Sequence, residues 1–120
     1  MKHILLVDDE PVLRSVLRQF LEFSGYRVVE ASDGAGALTL ARRQRPDIVL
    51  TDLLMPQKDG LDFCRELRSD PDLFDVPVLF VTARNADVAQ REEMERVGNG
   101  FVVKPFEPDH LLQTIESLLA

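Results

Sequence analysis

DIVLTDLLMPQKDG, residues 47–60, is the stretch whose reading decides the fold. Ile48, Val49 and Leu50 form an apolar run with no polar alternation, the pattern of a strand covered on both faces by helices in a parallel sheet. The run delivers a single acid, Asp52, to its carboxyl end. Leu53, Leu54, Met55 and Pro56 then turn the chain into a loop closed by Asp59 and Gly60. Ligands and chemistry in such sheets collect at the carboxyl ends of the strands, so Asp52 is the first candidate for a functional residue.

Working outward, strand and helix alternate five times. Residues 4–7 form an apolar strand ended by Asp8-Asp9-Glu10. Pro11 suits the first position of a helix running to about Ser24, with Val12, Leu13, Val16, Leu17, Phe20 and Leu21 on one stripe. Arg27 to Ala31 is a second strand. Ser32-Asp33 offer a cap for a helix from Gly34 to about Gln44 that turns Ala37, Leu38 and Ala41 inward. After the strand that ends at Asp52, Leu61, Cys64 and Leu67 mark a helix stopping near Asp70-Pro71. Pro77 to Thr82 is a fourth strand, Ala86 to Val97 a charged helix of weak periodicity, and Phe101 to Val103 a short fifth strand ending at Lys104-Pro105. Pro108 opens the last helix, with Leu111, Leu112, Ile115 and Leu118 inward. Connections of this length need right-handed crossovers, which predicts one α/β domain over residues 1–120: a doubly wound, five-stranded parallel sheet with five helices.

Composition narrows the function. Fourteen basic against twenty-one acidic side chains leave a net charge of −7, the wrong sign for a surface that grips nucleic acid. Cys64 is the only cysteine, so no internal disulfide forms, and it reads as a small core residue. Asp8 and Asp9 arrive too early for a signal peptide, no apolar run approaches membrane length, and the expected location is cytoplasmic. Gly34-x-Gly36 lacks the rest of a dinucleotide fingerprint and reads as relief of crowding at a helix start.

The strand order 2-1-3-4-5 is common in this class and makes strands one and three neighbours at the switch point. Asp8, Asp9 and Asp52 then share a shallow pocket, with Thr82 and Lys104 at the ends of strands four and five. Carboxylates this close repel by about 4 kcal/mol per pair at roughly 4 Å and an effective dielectric of about 20. Such a cluster takes up protons or holds a cation. Oxygen donors suit Mg²⁺, whereas His3 at the far end of strand one and His110 on the last helix are too remote for a zinc site. A carboxylate can attack phosphorus to give an aspartyl phosphate, with a metal, a lysine and a hydroxyl set against the phosphoryl oxygens.

Taken together, Asp8-Asp9, Asp52 with Met55-Pro56 and Asp59-Gly60, Thr82-Ala83, and Lys104-Pro105-Phe106 resemble the receiver domain of two-component response regulators, of the chemotaxis-regulator type, across essentially the whole chain. The strand order and switch point above are those of this flavodoxin-like family. The resemblance implies that Asp52 accepts phosphate from a histidine kinase, a phosphotransfer protein or a small phosphodonor. It further implies that Asp9, Asp52 and the Leu54 carbonyl ligate Mg²⁺, with Asp8 acting through water, and that Thr82 and Lys104 contact the phosphoryl group. A cis bond before Pro105 and a switch by Thr82 and Phe101 follow from the same resemblance. The switch repacks the face of helix four, strand five and helix five toward an output domain or target protein.

The chain also departs from the family. Only Asn99 and Gly100 separate Gly98 from Phe101, one residue fewer than usual. Phe101 lacks the hydroxyl a tyrosine would present. Leu54 and Arg84 occupy the positions that tune access of water to the acyl phosphate, and bulky Leu54 is expected to slow hydrolysis. Dephosphorylation is then faster in Leu54→Asn, and an unchanged rate would remove the idea.

Three other readings compete. A haloacid-dehalogenase-like phosphatase wants a second acid where Leu54 stands, and a flavodoxin-type flavin carrier wants a hydroxyl-rich loop where Asp8-Asp9-Glu10 stand. A pseudo-receiver, a binding module independent of phosphorylation, is the main alternative, although its usual sign is loss of an acid, Thr or Lys. The ending at Leu118-Leu119-Ala120 fits either a stand-alone regulator or a receiver taken from a longer protein.

Overall fold

The computed structural model describes residues 1–53, 55, 58–83 and 86–120. Strands β1 (His3–Val7), β2 (Arg27–Ala31), β3 (Ile48–Thr51), β4 (Val78–Thr82) and β5 (Phe101–Val103) alternate with helices α1 (Pro11–Phe23), α2 (Gly34–Arg43), α3 (Gly60–Ser69), α4 (Val88–Val97) and α5 (Pro108–Leu119). The strands pair in parallel in the order β2-β1-β3-β4-β5, which is the doubly wound fold expected. No helix among the described residues is long and apolar enough to cross a membrane.

The apolar runs earn their central places. Every residue of β1, β3 and β4 is buried, whereas the edge strands β2 and β5 are only partly so. Because side chains alternate across a strand, the sheet feeds two cores. Leu5, Val7, Val49 and Phe80 pack with Leu38, Phe63, Cys64 and Leu67 on the face covered by α2, α3 and α4. Ile4, Leu6, Leu50 and Val81 pack with Leu17, Leu21, Leu111 and Ile115 on the face covered by α1 and α5.

Helix ends follow from local chemistry. Pro11 and Pro108 open α1 and α5. The Asp33 carboxylate accepts the Gly36 N–H at 2.7 Å to cap α2, and Asp87 with Gln90 forms a capping box on α4. Gly34 does relieve crowding, since a Cβ there would stand 2.7 Å from the Lys58 carbonyl oxygen. Cys64 is fully buried, and burial pushes its thiol up to about 11. It is a core residue, as expected.

Two expectations need correction. The stripe assigned to α1 is too wide: Val12 and Val16 are 72% and 57% exposed, while Leu17 and Leu21 are buried and Leu13 and Phe20 are partly covered. At 3.6 residues per turn the six apolar positions span about half the circumference, more than the sheet can cover. Helix boundaries also move by one or two residues, because Ser24 and Gln44 cap rather than extend α1 and α2, and α4 starts only after its cap at Asp87.

The short connection into β5 is held by Asn99. Its Oδ1 accepts the Val78 N–H at 2.8 Å and Arg68 Nη2 at 2.9 Å, while its own N–H reaches the Val78 carbonyl at 2.8 Å. Arg68 also donates to the carbonyls of Val97, Phe74 and Val76. One guanidinium thus ties α3, the loop before β4 and the end of α4 together.

Candidate functional site

Register places the acids. Val7 pairs with Thr51, so the next residues, Asp8 and Asp52, emerge side by side at the carboxyl ends of β1 and β3. The Asp52 N–H extends that ladder to the Val7 carbonyl at 2.9 Å. Asp8 is 2% exposed, Asp52 partly buried and Asp9 exposed, and each offers a carboxylate oxygen within 4.8 Å of the others. Thr82 closes β4 and is buried. The Lys104 N–H reaches the Thr82 carbonyl at 2.7 Å, and the Lys104–Pro105 peptide is cis.

The Lys104 ammonium bridges Asp8 and Asp52, with Nζ 3.5 Å from Asp8 Oδ2 and 3.4 Å from Asp52 Oδ2. The remaining oxygens are tied to main chain: Asp8 Oδ1 accepts the Glu10 N–H at 2.8 Å, and Asp52 Oδ1 accepts the Leu53 N–H at 2.7 Å. Burial holds the Asp52 carboxyl above its ordinary value and Asp8 adds to the rise, against the opposing pull of Lys104 and the Leu53 N–H. An acid kept partly desolvated beside another acid gains from a further cation.

The donor set fits a hard divalent ion. Among the described residues the group of metal-competent side chains is Asp8, Asp9 and Asp52, all carboxylate oxygen with no histidine or thiol. Beside it Asp52, Leu53, Thr82, Ala83, Ala86, Gln90 and Lys104 line a pocket of about 250 Å³. Gly60 makes room behind Asp52, since a Cβ at that position would come within 2.2 Å of the Asp52 carbonyl oxygen. Phe101 is partly buried and packs against the core under α4. The Leu54 carbonyl, Pro56 and Arg84 lie outside the described residues.

Two contributors have no sequence signal of their own. Arg14 Nη1 donates to the Asp8 carbonyl at 2.6 Å, and its Nε pairs with Glu30 at 3.3 Å, which ties the acidic turn to β2. Gln90 lines the pocket from α4 while its Oε1 accepts the Asp87 N–H. On the sequence Arg14 is one more charge on an exposed helix, and Gln90 belongs to a charged run.

The family model for the response regulator receiver domain matches residues 4–116. Response regulator MprA of Mycobacterium leprae is 41% identical over 116 residues, which is 97% of this chain and 50% of that protein. The chain therefore spans about half the length of the curated relatives it matches first. The chemotaxis protein CheY4 of Vibrio cholerae superposes with a TM-score of 0.92 at 32% identity, covering 99% of both chains. The receiver domain of the sensor histidine kinase PA1611 of Pseudomonas aeruginosa, solved with a magnesium ion coordinated in its active-site cleft, superposes with a TM-score of 0.89 at 36% identity, covering 98% of this chain and 97% of that one.

Proposed function

This chain belongs to the response regulator receiver domain family, and from that premise we propose that Asp52 is a phosphoacceptor fed by a sensor histidine kinase or a phosphotransfer protein. The observation that carries the reading is the convergence of three acids within 4.8 Å, two of them bridged by Lys104 at the mouth of a pocket that also holds Thr82.

Asp52 Oδ2 is the nucleophile, because its contact is the long one of 3.4 Å to the mobile Lys104 ammonium, whereas Oδ1 is held by the main-chain N–H of Leu53 at 2.7 Å. It attacks phosphorus, the bond from phosphorus to the donor's imidazole nitrogen breaks, and the imidazole leaves with its electron pair. Asp9, Asp52 and the Leu54 carbonyl would hold Mg²⁺, with Asp8 acting through water, and the ion would supply positive charge against the transferring oxygens. Lys104 exchanges its contact with Asp52 for the phosphoryl oxygen, and the Thr82 hydroxyl donates to another. The only turnover assigned to the chain is gain and loss of its own phosphoryl group.

The switch is a consequence of the same step. Drawing Thr82 toward the phosphoryl group vacates space beside β5, Phe101 turns further inward, and the face made by α4, β5 and α5 repacks against an output domain or target protein. We place this cycle in the cytoplasm.

Amide NMR with Mg²⁺ and beryllofluoride tests the proposal. Large shifts at Asp52, Thr82, Lys104 and Phe101 are expected, and none in Asp52→Asn. Unperturbed spectra in the parent chain would leave only a binding module independent of phosphorylation.

A further inference from the structure

Asp9 is the exposed member of the acid cluster, and nothing holds its side chain. Its carboxylate accepts no hydrogen bond and forms no ion pair among the described residues. Even so, it offers an oxygen within 4.8 Å of donor oxygens on Asp8 and Asp52. Where Asp9 points is therefore set by the main chain on either side of it. A peptide unit is planar, so the direction of the Asp8 carbonyl fixes the plane that enters Asp9, and the direction of the Glu10 N–H fixes the plane that leaves it.

Both planes are pinned. The Glu10 N–H donates to Asp8 Oδ1 at 2.8 Å, a contact made within the turn. The Asp8 carbonyl accepts from Arg14 Nη1 at 2.6 Å, a contact made from α1. Arg14 grips the far side as well, since its own N–H donates to the Glu10 carbonyl at 3.0 Å. The guanidinium is itself held in place. Its Nε donates to Glu30 Oε1 at 3.3 Å, and Glu30 Oε2 accepts from Arg18 Nη1 at 2.8 Å. Glu30 lies on β2, whose next residue, Ala31, accepts the Asp8 N–H at 3.1 Å. The Arg14 and Glu30 side chains are mostly covered, so their pairing is not of the weak, fully solvated kind.

We propose that Arg14 is a positioning residue for the metal site: by orienting the Asp8–Asp9 peptide it sets the Asp9 carboxylate toward Asp8 and Asp52 in the metal-free protein. The inference rests on reading these three acids as a Mg²⁺ site, and goes beyond it by assigning part of the affinity to a residue that is not among the ligands. Groups one step removed from a metal typically carry about 10- to 100-fold of its affinity through the ligands they orient. Charge works the other way. A guanidinium repels a cation, so on Coulomb grounds alone its removal strengthens metal binding. Positioning and charge thus predict opposite signs.

Titration with Mg²⁺ alone, without a phosphodonor, followed by the amide resonances of Asp8, Asp9, Glu10 and Asp52, tests it. The half-saturating concentration is expected to rise about ten-fold in Arg14→Met, which keeps most of the side chain's bulk and loses its donors. Arg14→Lys keeps the charge but lacks the fork that spans the Asp8 carbonyl and Glu30, and should fall between the parent and Arg14→Met. Glu30→Gln leaves the guanidinium able to reach the Asp8 carbonyl and should cost less than Arg14→Met. Leu17→Val loosens the buried face of α1 without touching the turn and should leave the half-saturating concentration unchanged. Metal-free spectra that match the parent at Thr82 and Lys104 check that each variant is folded. Unchanged or tighter binding in folded Arg14→Met would overturn the proposal, and so would an equal rise in Leu17→Val. Should Arg14→Met not fold, Arg14→Lys decides, and binding at or above the parent's affinity there would overturn it. A parent chain with no saturable Mg²⁺ shifts would remove the metal site itself, and the proposal with it.

Discussion

The two ends of β1 handle buried ionisable groups in opposite ways. At its carboxyl end Asp8 is 2% exposed and every polar atom has company: Glu10 on Oδ1, Lys104 on Oδ2, Arg14 on the carbonyl. At its amino end His3 is 7% exposed and its ring has none. The lesson is that burial alone does not mark the proposed phosphoacceptor site. The cluster is marked by like charges held together, against their repulsion, by one bridging cation and two main-chain donors, an arrangement that packing by itself would never favour.

The largest effect that could break this contrast is expected at Lys104. Replacing its ammonium in Lys104→Met should slow phosphorylation from acetyl phosphate about 100-fold, because a charge aimed at the transferring oxygens is lost. Stopped-flow kinetics at saturating Mg²⁺ would read it, and an unchanged rate would reduce the bridge to a structural ion pair. Next is Arg14→Ala, which releases the Asp8 carbonyl and Glu30 together. A loss of about 2 kcal/mol in urea unfolding is expected, while Arg14→Lys recovers part of it. At the other end of the strand, His3→Leu removes two unpartnered nitrogens for a side chain of similar bulk and should be neutral or stabilising by up to about 1 kcal/mol. A clear loss of stability there would mean that the ring is satisfied in solution.

The smallest effect concerns pH. Burial raises the Asp52 carboxyl above 3.8, so the folded state binds that proton more readily than the unfolded chain does. In metal-free buffer the ionised group therefore weighs against folding at neutral pH. Asp52→Asn should raise the melting temperature there. The gain should shrink as pH falls through the folded-state value and vanish below 3.8. A loss at neutral pH would show that Lys104 and the Leu53 N–H outweigh burial, and a gain that persists in acid would show that titration of this carboxyl is not its source.

Much of this was legible in the residues. Three uninterrupted apolar runs became the three fully buried strands, and acids placed directly after two of them were brought together by parallel register. Asp33 and Pro108 announced helix starts because capping and a missing N–H are local properties. What could not be read was tertiary. Val12 and Val16 match the apolar stripe of α1 in type, yet how wide a stripe the sheet covers depends on how α1 sits. Arg14 and Arg68 carry their weight through carbonyl partners, and in Arg68 the partner on Val97 is 29 residues away. Phe63 is fully buried and widens the inner face of α3 beyond Leu61, Cys64 and Leu67, the positions that mark it in the sequence.

The most direct test of the central claim is to locate the phosphoryl group itself. Purified protein incubated with Mg²⁺ and acetyl phosphate, reduced with borohydride to trap the acyl phosphate, and mapped by peptide mass spectrometry should carry the mark on Asp52 and lose it when EDTA replaces the metal. A mark on Asp8 or Asp9, metal-independent labelling, or no mark at all would contradict the account.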